Sequence, residues 1–539
     1  MTEGWREGGR AFGRAAGAGR PRAGAGGRRG RFVIARPSGR SNRVACAAAL
    51  LLAVLTLNAL TPYRLTAQSL ERRIDARLEA APWNRNLWGL AVVDDRGRVV
   101  YEQNADKLFV PASNTKLVVS AVAAALLPGD FTVKTSVYPA GEVTDGVLKG
   151  DLVLYGRGDP TFSLRCYAVD TLATGVCDRD SARKFRELAA ELQARGVRTV
   201  EGDVVGDGSY FESDSLHPAW DIYDINWWYA APVAALGFND NSVDITWRPG
   251  AAVGAPAELS VSPDFGNVVL DNRTVTVDVG GEADIGDRMW RVAGTDRILV
   301  EGTVPVGHRG GTDNFAVDDP NLFAARALRA ALAESGISVT GATRSTTDSL
   351  LYRTARAQPA LAEVESRPLR DWIFPILNTS QNWFAEMTLK QLGRQFGKSG
   401  SWDEGLEVER RFLIDSVGID STAFKLSDGS GLSSNNLISP RAFTQLLRYM
   451  RTHSGWDTFS AGLPRSAATG SLRRRFTGTA LEGRVVAKTG SISGVNTLAG
   501  YIERRDGKVW TFSVQANNHA QRGSDVIRGI DSLVVEMGR

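Results

Sequence analysis

Apolar residues follow two rhythms along this chain, and the rhythm changes twice. Leu70, Ile74 and Leu78 recur at helical spacing and predict a short amphipathic helix. The apolar runs from Trp88 to Val93 and from Arg98 to Tyr101 are joined by Asp94-Asp95-Arg96-Gly97, the signature of a hairpin. After Phe109-Val110-Pro111-Ala112 the stretch Leu117–Leu127 is almost wholly apolar. It predicts a helix buried on every side that starts close to Ser113.

From about residue 132 to 364 the pattern shifts to short strand-like runs punctuated by Gly and Asp: Val133–Tyr138, Gly146–Tyr155, Thr199–Gly206, Val268–Val279 and Ile298–Val306. Two helical stretches, Ser181–Arg195 and Asn321–Ser335, interrupt them. Helical spacing returns beyond 366, in Arg370–Leu377, Asn382–Phe396, Gly405–Val417 and Pro440–Arg451. Strands then follow at Arg484–Gly490, Thr497–Glu503 and Val509–Ala516, with a closing helix over His519–Met537. The expected organisation is one α/β unit, 68–131 plus 366–539, split by a β-rich insertion over 132–365, with a nested part near 245–305.

Charge changes the picture only at the N-terminus. The formal net charge is +4, but residues 1–67 hold 12 Arg, no Lys and two acids, leaving 52 basic and 58 acidic residues in the remainder. The body is therefore not a polyanion binder by charge, and no nucleic-acid partner is expected. The basic segment reads as a leader, with a nucleic-acid arm as the alternative. Val44–Leu60, broken only by Thr56 and Asn58, suits a signal h-region, with processing after Ala67. An uncleaved anchor is the other reading, and would be the only membrane contact. Either places the body in the periplasm or cell envelope. Cys166 and Cys177 could close a disulfide there or stand as two free thiols. With four histidines (His217, His308, His453, His519) and none paired at ligand spacing, neither a metal site nor a Ser-His-Asp triad is expected, and no cofactor is implied.

Chemistry concentrates in three short words: Ser113-Asn114-Thr115-Lys116, Ser380-Gln381-Asn382 and Lys488-Thr489-Gly490. Lysine is scarce, ten residues against 54 arginines, yet two of the ten fall in these words. A Ser and a Lys three residues later share one helix face. The helix N-terminus favours an oxyanion near the serine, and a partly buried lysine can serve as its base. Taken singly, each word reads more simply as a helix cap, a loop and a strand end. Together they supply nucleophile, base, proton relay and carboxylate grip.

The trio resembles that of the penicillin-binding proteins and serine β-lactamases. The wider pattern resembles the D-alanyl-D-alanine carboxypeptidase/endopeptidase family of low-molecular-mass class C penicillin-binding proteins, the DacB type. Gly156-Arg157-Gly158-Asp159-Pro160, the block ending Asn239-Asp240-Asn241, Asp428-Gly429-Ser430-Gly431-Leu432-Ser433 and Gly470-Ser471-Leu472 carry the likeness, as does the long gap from Ser113 to Ser380. The resemblance implies an α/β (α+β) transpeptidase-like fold, an antiparallel sheet flanked by helices. It also implies a serine D-Ala-D-Ala carboxypeptidase, with endopeptidase action on cross-links in the same range. Its substrates would be peptidoglycan stem peptides, with β-lactams as covalent inhibitors. On that basis Ser113 is the nucleophile, Lys116 its base, and Ser380 a proton relay. Asn382 grips the substrate amide, Lys488 and Thr489 hold the terminal carboxylate, and Gly490 lets the substrate backbone approach. The N–H groups of Ser113 and Ser491 would form the oxyanion hole. The Asn239–Asn241 and Asp428–Ser433 blocks read as architecture near the cleft. A catalytically silent envelope scaffold is the alternative from another class. A β-lactamase is the nearer one, but no Glu after Ser380 has an Asn four residues on.

Overall fold

The central sheet is assembled from the two ends of the chain. Its five strands run in the order Val485–Ile492, Val495–Glu503, Val509–Asn517, Leu87–Val93, Val99–Gln103, every neighbouring pair antiparallel. The computed structural model describes residues 70–163, 165, 177, 178, 180–212 and 214–539. The Val44–Leu60 run, the Ala67 processing site and Cys166 lie outside them. All described residues belong to one compact unit, Leu65–Arg539. Among them no helix is long and apolar enough to cross a membrane.

The middle strands have no polar face to offer water, since all but the last residue of Val495–Glu503 are buried, so both sides of the sheet are covered. On one side the helix over 70–79 and the closing helix Gly523–Gly538 bring Leu70, Ile74, Leu78, Ile530 and Leu533 against Trp88, Leu498 and Phe512. On the other, Ala499 and Tyr501 meet a helical layer made of Lys116–Leu126, Leu369–Asn378, Asn382–Phe396 and Pro440–Met450. Lys116–Leu126 is buried at nine of its eleven positions, as a run apolar everywhere but Lys116 and Ser120 predicts.

Residues between these halves form sheets of their own. A seven-stranded sheet is built on the hairpin Lys134–Thr144 and Val147–Tyr155. The helices Arg183–Ala194 and Pro320–Glu334 pack on it. Two three-stranded sheets follow, one of Gly311–Ala316, Ser242–Arg248 and Glu258–Ser262, the other of Met289–Arg291, Arg297–Pro305 and Val269–Val277. The stretch expected as one strand over Thr199–Gly206 is two, Thr199–Val200 and Val204–Asp207. Between them Gly202 passes so close to Gly150 that a Cβ there would lie 2.4 Å from the Gly150 carbonyl carbon. The helix expected over Gly405–Val417 is α-helical only at Trp402–Arg411 and widens to a π turn at Phe412–Ser416. Cys177 is disulfide-bonded rather than a free thiol.

The two ends of the 134–365 stretch meet. Val133 N–H donates to Ser366 Oγ at 3.0 Å, and Ser366 N–H returns to the Val133 carbonyl at 2.8 Å. The chain thus leaves and rejoins the helical layer at one point.

Candidate active site

The first word sits where strand edge and helical layer meet. A tight turn, Ala112–Thr115, runs directly into the helix Lys116–Leu126. Two bonds stitch this turn to the neighbouring strands. Thr497 Oγ1 donates to the Pro111 carbonyl at 2.8 Å, and the Asn114 amide reaches the Lys488 carbonyl at 2.8 Å. One helical turn separates Ser113 from Lys116, and Lys116 Nζ donates to Ser113 Oγ at 3.0 Å. The same Nζ donates to Asn382 Oδ1 at 2.7 Å and to the Ser430 carbonyl at 2.6 Å. Three acceptors therefore match the three protons of an ammonium. Loss of the proton on the Ser113 side leaves a lone pair facing Oγ. Lys116 is wholly buried, and burial pulls its amine down to about 7 against the opposing pull of Asp428 and Glu386.

The second and third words face each other. Ser380 precedes the helix Asn382–Phe396 with φ at 68°, a left-handed conformation uncommon outside glycine. Lys488 is fully buried on the strand Val485–Ile492 and donates to Ser380 Oγ at 2.7 Å and to the Thr489 carbonyl at 2.8 Å. Burial and the nearby Lys116 charge hold its amine well below the usual lysine range. Asn382 Nδ2 donates to the Tyr229 carbonyl at 2.8 Å, which turns its Oδ1 toward Lys116. Thr489 Oγ1 donates to Ser471 Oγ at 3.0 Å. The strand does not end at Gly490 but continues to Ile492. A Cβ at Gly490 would stand 2.2 Å from Thr497 Oγ1 and 2.6 Å from the Pro111 carbonyl oxygen, so only glycine lets the strand lie this close to the Ser113 turn. Ser491 is exposed at the strand edge, and its Oγ accepts from Asn496 Nδ2 at 2.8 Å.

All three words thus converge, and Lys116 joins the first to the second. A family model, D-Ala-D-Ala carboxypeptidase 3 (S13), matches residues 70–537. The chain belongs to that family. It is a serine D-Ala-D-Ala carboxypeptidase, and the DacB likeness stands. It is 33% identical over 466 residues to the D-alanyl-D-alanine carboxypeptidase of Actinomadura sp. (strain R39), covering 84% of this chain and 81% of that one. Crystal structures of penicillin binding protein 4 (dacB) from Haemophilus influenzae share the fold. One aligns with a TM-score of 0.73 at 22% identity over 86% of this chain and 99% of that one. Another, complexed with a β-lactam, aligns at 0.69 and 20% identity with the same coverage.

The two blocks read as architecture have distinct structures. Asn239, Asp240 and Asn241 all take positive φ in one tight turn, where Asn241 Nδ2 donates to the Pro232 carbonyl at 2.7 Å. That same carbonyl accepts from Trp383 Nε1 at 3.1 Å, one residue after Asn382. Asp428 folds its own loop by accepting from the N–H groups of Gly431 and Ser433, both at 2.7 Å, and from Asn436 Nδ2 at 2.8 Å. Sequence reasoning missed the carbonyls of Tyr229 and Ser430, because a main-chain acceptor has no residue-type signature. It also missed Asn114 and Ser471, although both lie inside motifs it had singled out.

Proposed function

We propose that this S13 carboxypeptidase releases the terminal D-Ala of peptidoglycan stem peptides through an acyl-enzyme on Ser113, with Lys116 as the base. The observation that carries the reading is the single Lys116 amine within 3.0 Å of Ser113 Oγ, buried and drawn down to about 7. As Oγ attacks the penultimate D-Ala carbonyl, its proton passes to Lys116 Nζ. The N–H groups of Ser113 and Ser491 receive the developing oxyanion. Asn382 grips the substrate amide, and Ser380 returns a proton to the departing amine. Lys488 and Thr489 hold the terminal carboxylate beside Gly490. Water then releases the acyl group by the reverse sequence.

β-Lactams acylate Ser113 in the same way, a reading in keeping with the β-lactam complex of the Haemophilus protein. Endopeptidase cleavage of cross-links belongs to the same chemistry, since the amine released can be a side-chain amine instead of free D-Ala. Residues 132–365 act as an inserted module, and 1–67 as an export leader that delivers the enzyme to the envelope.

Labelling with a fluorescent penicillin tests the assignment. Wild type should take a covalent label and Ser113→Ala none; equal labelling of the two would sink it. Muropeptide digestion then separates carboxypeptidase from endopeptidase products.

A further inference from the structure

Behind Lys116 lies a buried carboxylate that the mechanism above does not use. Glu386 sits one helical turn after Asn382 on the helix Asn382–Phe396 and has no exposed surface. Its Oε1 accepts the Ser430 N–H at 2.7 Å. Its Oε2 accepts the Gly429 N–H at 3.0 Å and Trp402 Nε1 at 2.8 Å. The residue whose N–H it holds, Ser430, is the one whose carbonyl accepts from Lys116 Nζ at 2.6 Å. A single peptide segment thus links the Glu386 carboxylate to the Lys116 amine. One helix carries both Asn382 and Glu386, so two of the three acceptors around Lys116 are fixed by the same rigid element.

We propose that Glu386 is a positioning residue for the Lys116 base, pinning the Gly429–Ser430 peptides so that the Ser430 carbonyl stays against Nζ. The inference rests on Lys116 being that base. It also gives the Asp428–Ser433 block a part in the chemistry, since Asp428 shapes the loop from within and Glu386 docks it to the catalytic helix.

A glutamine cannot do the same work. It has one acceptor oxygen where Glu386 uses two, and its NH2 would face an N–H donor. The other ionisable groups around Glu386 define what its charge does. Asp428 approaches from the loop, Glu409 from the helix Trp402–Arg411, Lys390 from its own helix, and Lys116 across the loop. His217, beyond Asp428, faces Asp428, Lys390 and Asp403. Burial holds Glu409 well above the usual carboxyl range, whereas Lys390 donates to the carbonyls of Asp214 and Val233 and lies 3.7 Å from the Trp402 ring centre. Burial and the neighbouring Asp428 push Glu386 itself up to about 7, so its charge, like that of Asp428, favours the Lys116 ammonium where it is ionised.

The test measures the pH dependence of acylation by a fluorescent penicillin on the full chain carrying Glu386→Gln, with folding checked by near-UV circular dichroism. Acylation should slow on the order of 10- to 100-fold from misplacement of the base. The acidic limb of the profile should also move to lower pH, because a carboxylate that favours the ammonium when ionised is gone. A folded Glu386→Gln variant with wild-type rate and an unmoved limb overturns the proposal. Should that variant not fold, Glu386→Asp decides: it keeps the charge but retracts it by one methylene. The expectation is then a slowed reaction with an unmoved limb, and a wild-type rate overturns the proposal. Lys116→Ala is run in parallel; if it acylates normally, the underlying assignment of the base fails, whatever Glu386 does.

Discussion

Lys116 spends its whole surface on three acceptors, and in the proposed mechanism its proton controls the reaction. Because burial draws the amine down to about 7, the free base accumulates as pH rises through that value. Acylation by penicillin should therefore climb with pH around 7 and level off above, and stopped-flow acylation rates across pH 5 to 9 check this. A rate flat over that range would exclude Lys116 as the titrating base. Lys488 carries a different burden. In Lys488→Ala, Ser380 loses its donor and the proposed carboxylate grip loses its amine, so kcat/KM for a D-Ala-D-Ala peptide should fall on the order of 100-fold, with the thermal midpoint as control. Residue types at this scale were legible in the sequence, because an acyl-transfer site without histidine needs serine and lysine at fixed spacing. The partners that orient them were not. Tyr229 and Ser430 contribute carbonyls, which every residue has, and only the fold decides which carbonyl points inward.

At the level of elements, the site depends on close contact between a strand and a turn. Gly490→Ala should push the Val485–Ile492 strand away from Pro111 and Thr497, costing about 1–3 kcal/mol of stability and most of the acylation rate. Gly431 is under two constraints. Its φ is +80°, and a Cβ there would lie 1.9 Å from the Ala112 carbonyl oxygen, so Gly431→Ala should be at least as damaging. Differential scanning calorimetry and penicillin labelling check both; unchanged behaviour of either variant would mean that the turn has room to move. Long apolar elements such as Lys116–Leu126 were readable because their pattern spans several turns. Strands such as Ser338–Val339 were not: two residues carry no period, and their place is set by pairing with Thr199–Val200.

On the scale of the molecule, the 134–365 stretch completes the helical layer as well as extending from it. It supplies the Tyr229 carbonyl to Asn382, the Pro232 carbonyl to Trp383 and the Val233 carbonyl to buried Lys390. Its ends already touch at Val133 and Ser366, so a short glycine linker can replace it without stretching the chain. Such an excision should abolish penicillin labelling and lower the melting temperature, since Lys390 would lose a buried partner. Full labelling of the shortened protein would reduce the stretch to decoration. The long gap between the first two words leads one to expect an insertion, but not contacts that reach back into the site, because contacts between distant segments leave no local pattern.

The sheet built from both chain ends has a consequence for how the enzyme comes into being. Val110 N–H meets Asn517 Oδ1 across 407 residues of sequence, and among the described residues the strand Leu87–Val93 pairs with Val509–Asn517 and its own hairpin neighbour. Whatever emerges first during synthesis must wait, with one strand edge unpaired, until nearly the last residues arrive. The proposed nucleophile is thus made early and armed last, and a chain interrupted before residue 509 should carry Ser113 without taking a penicillin label.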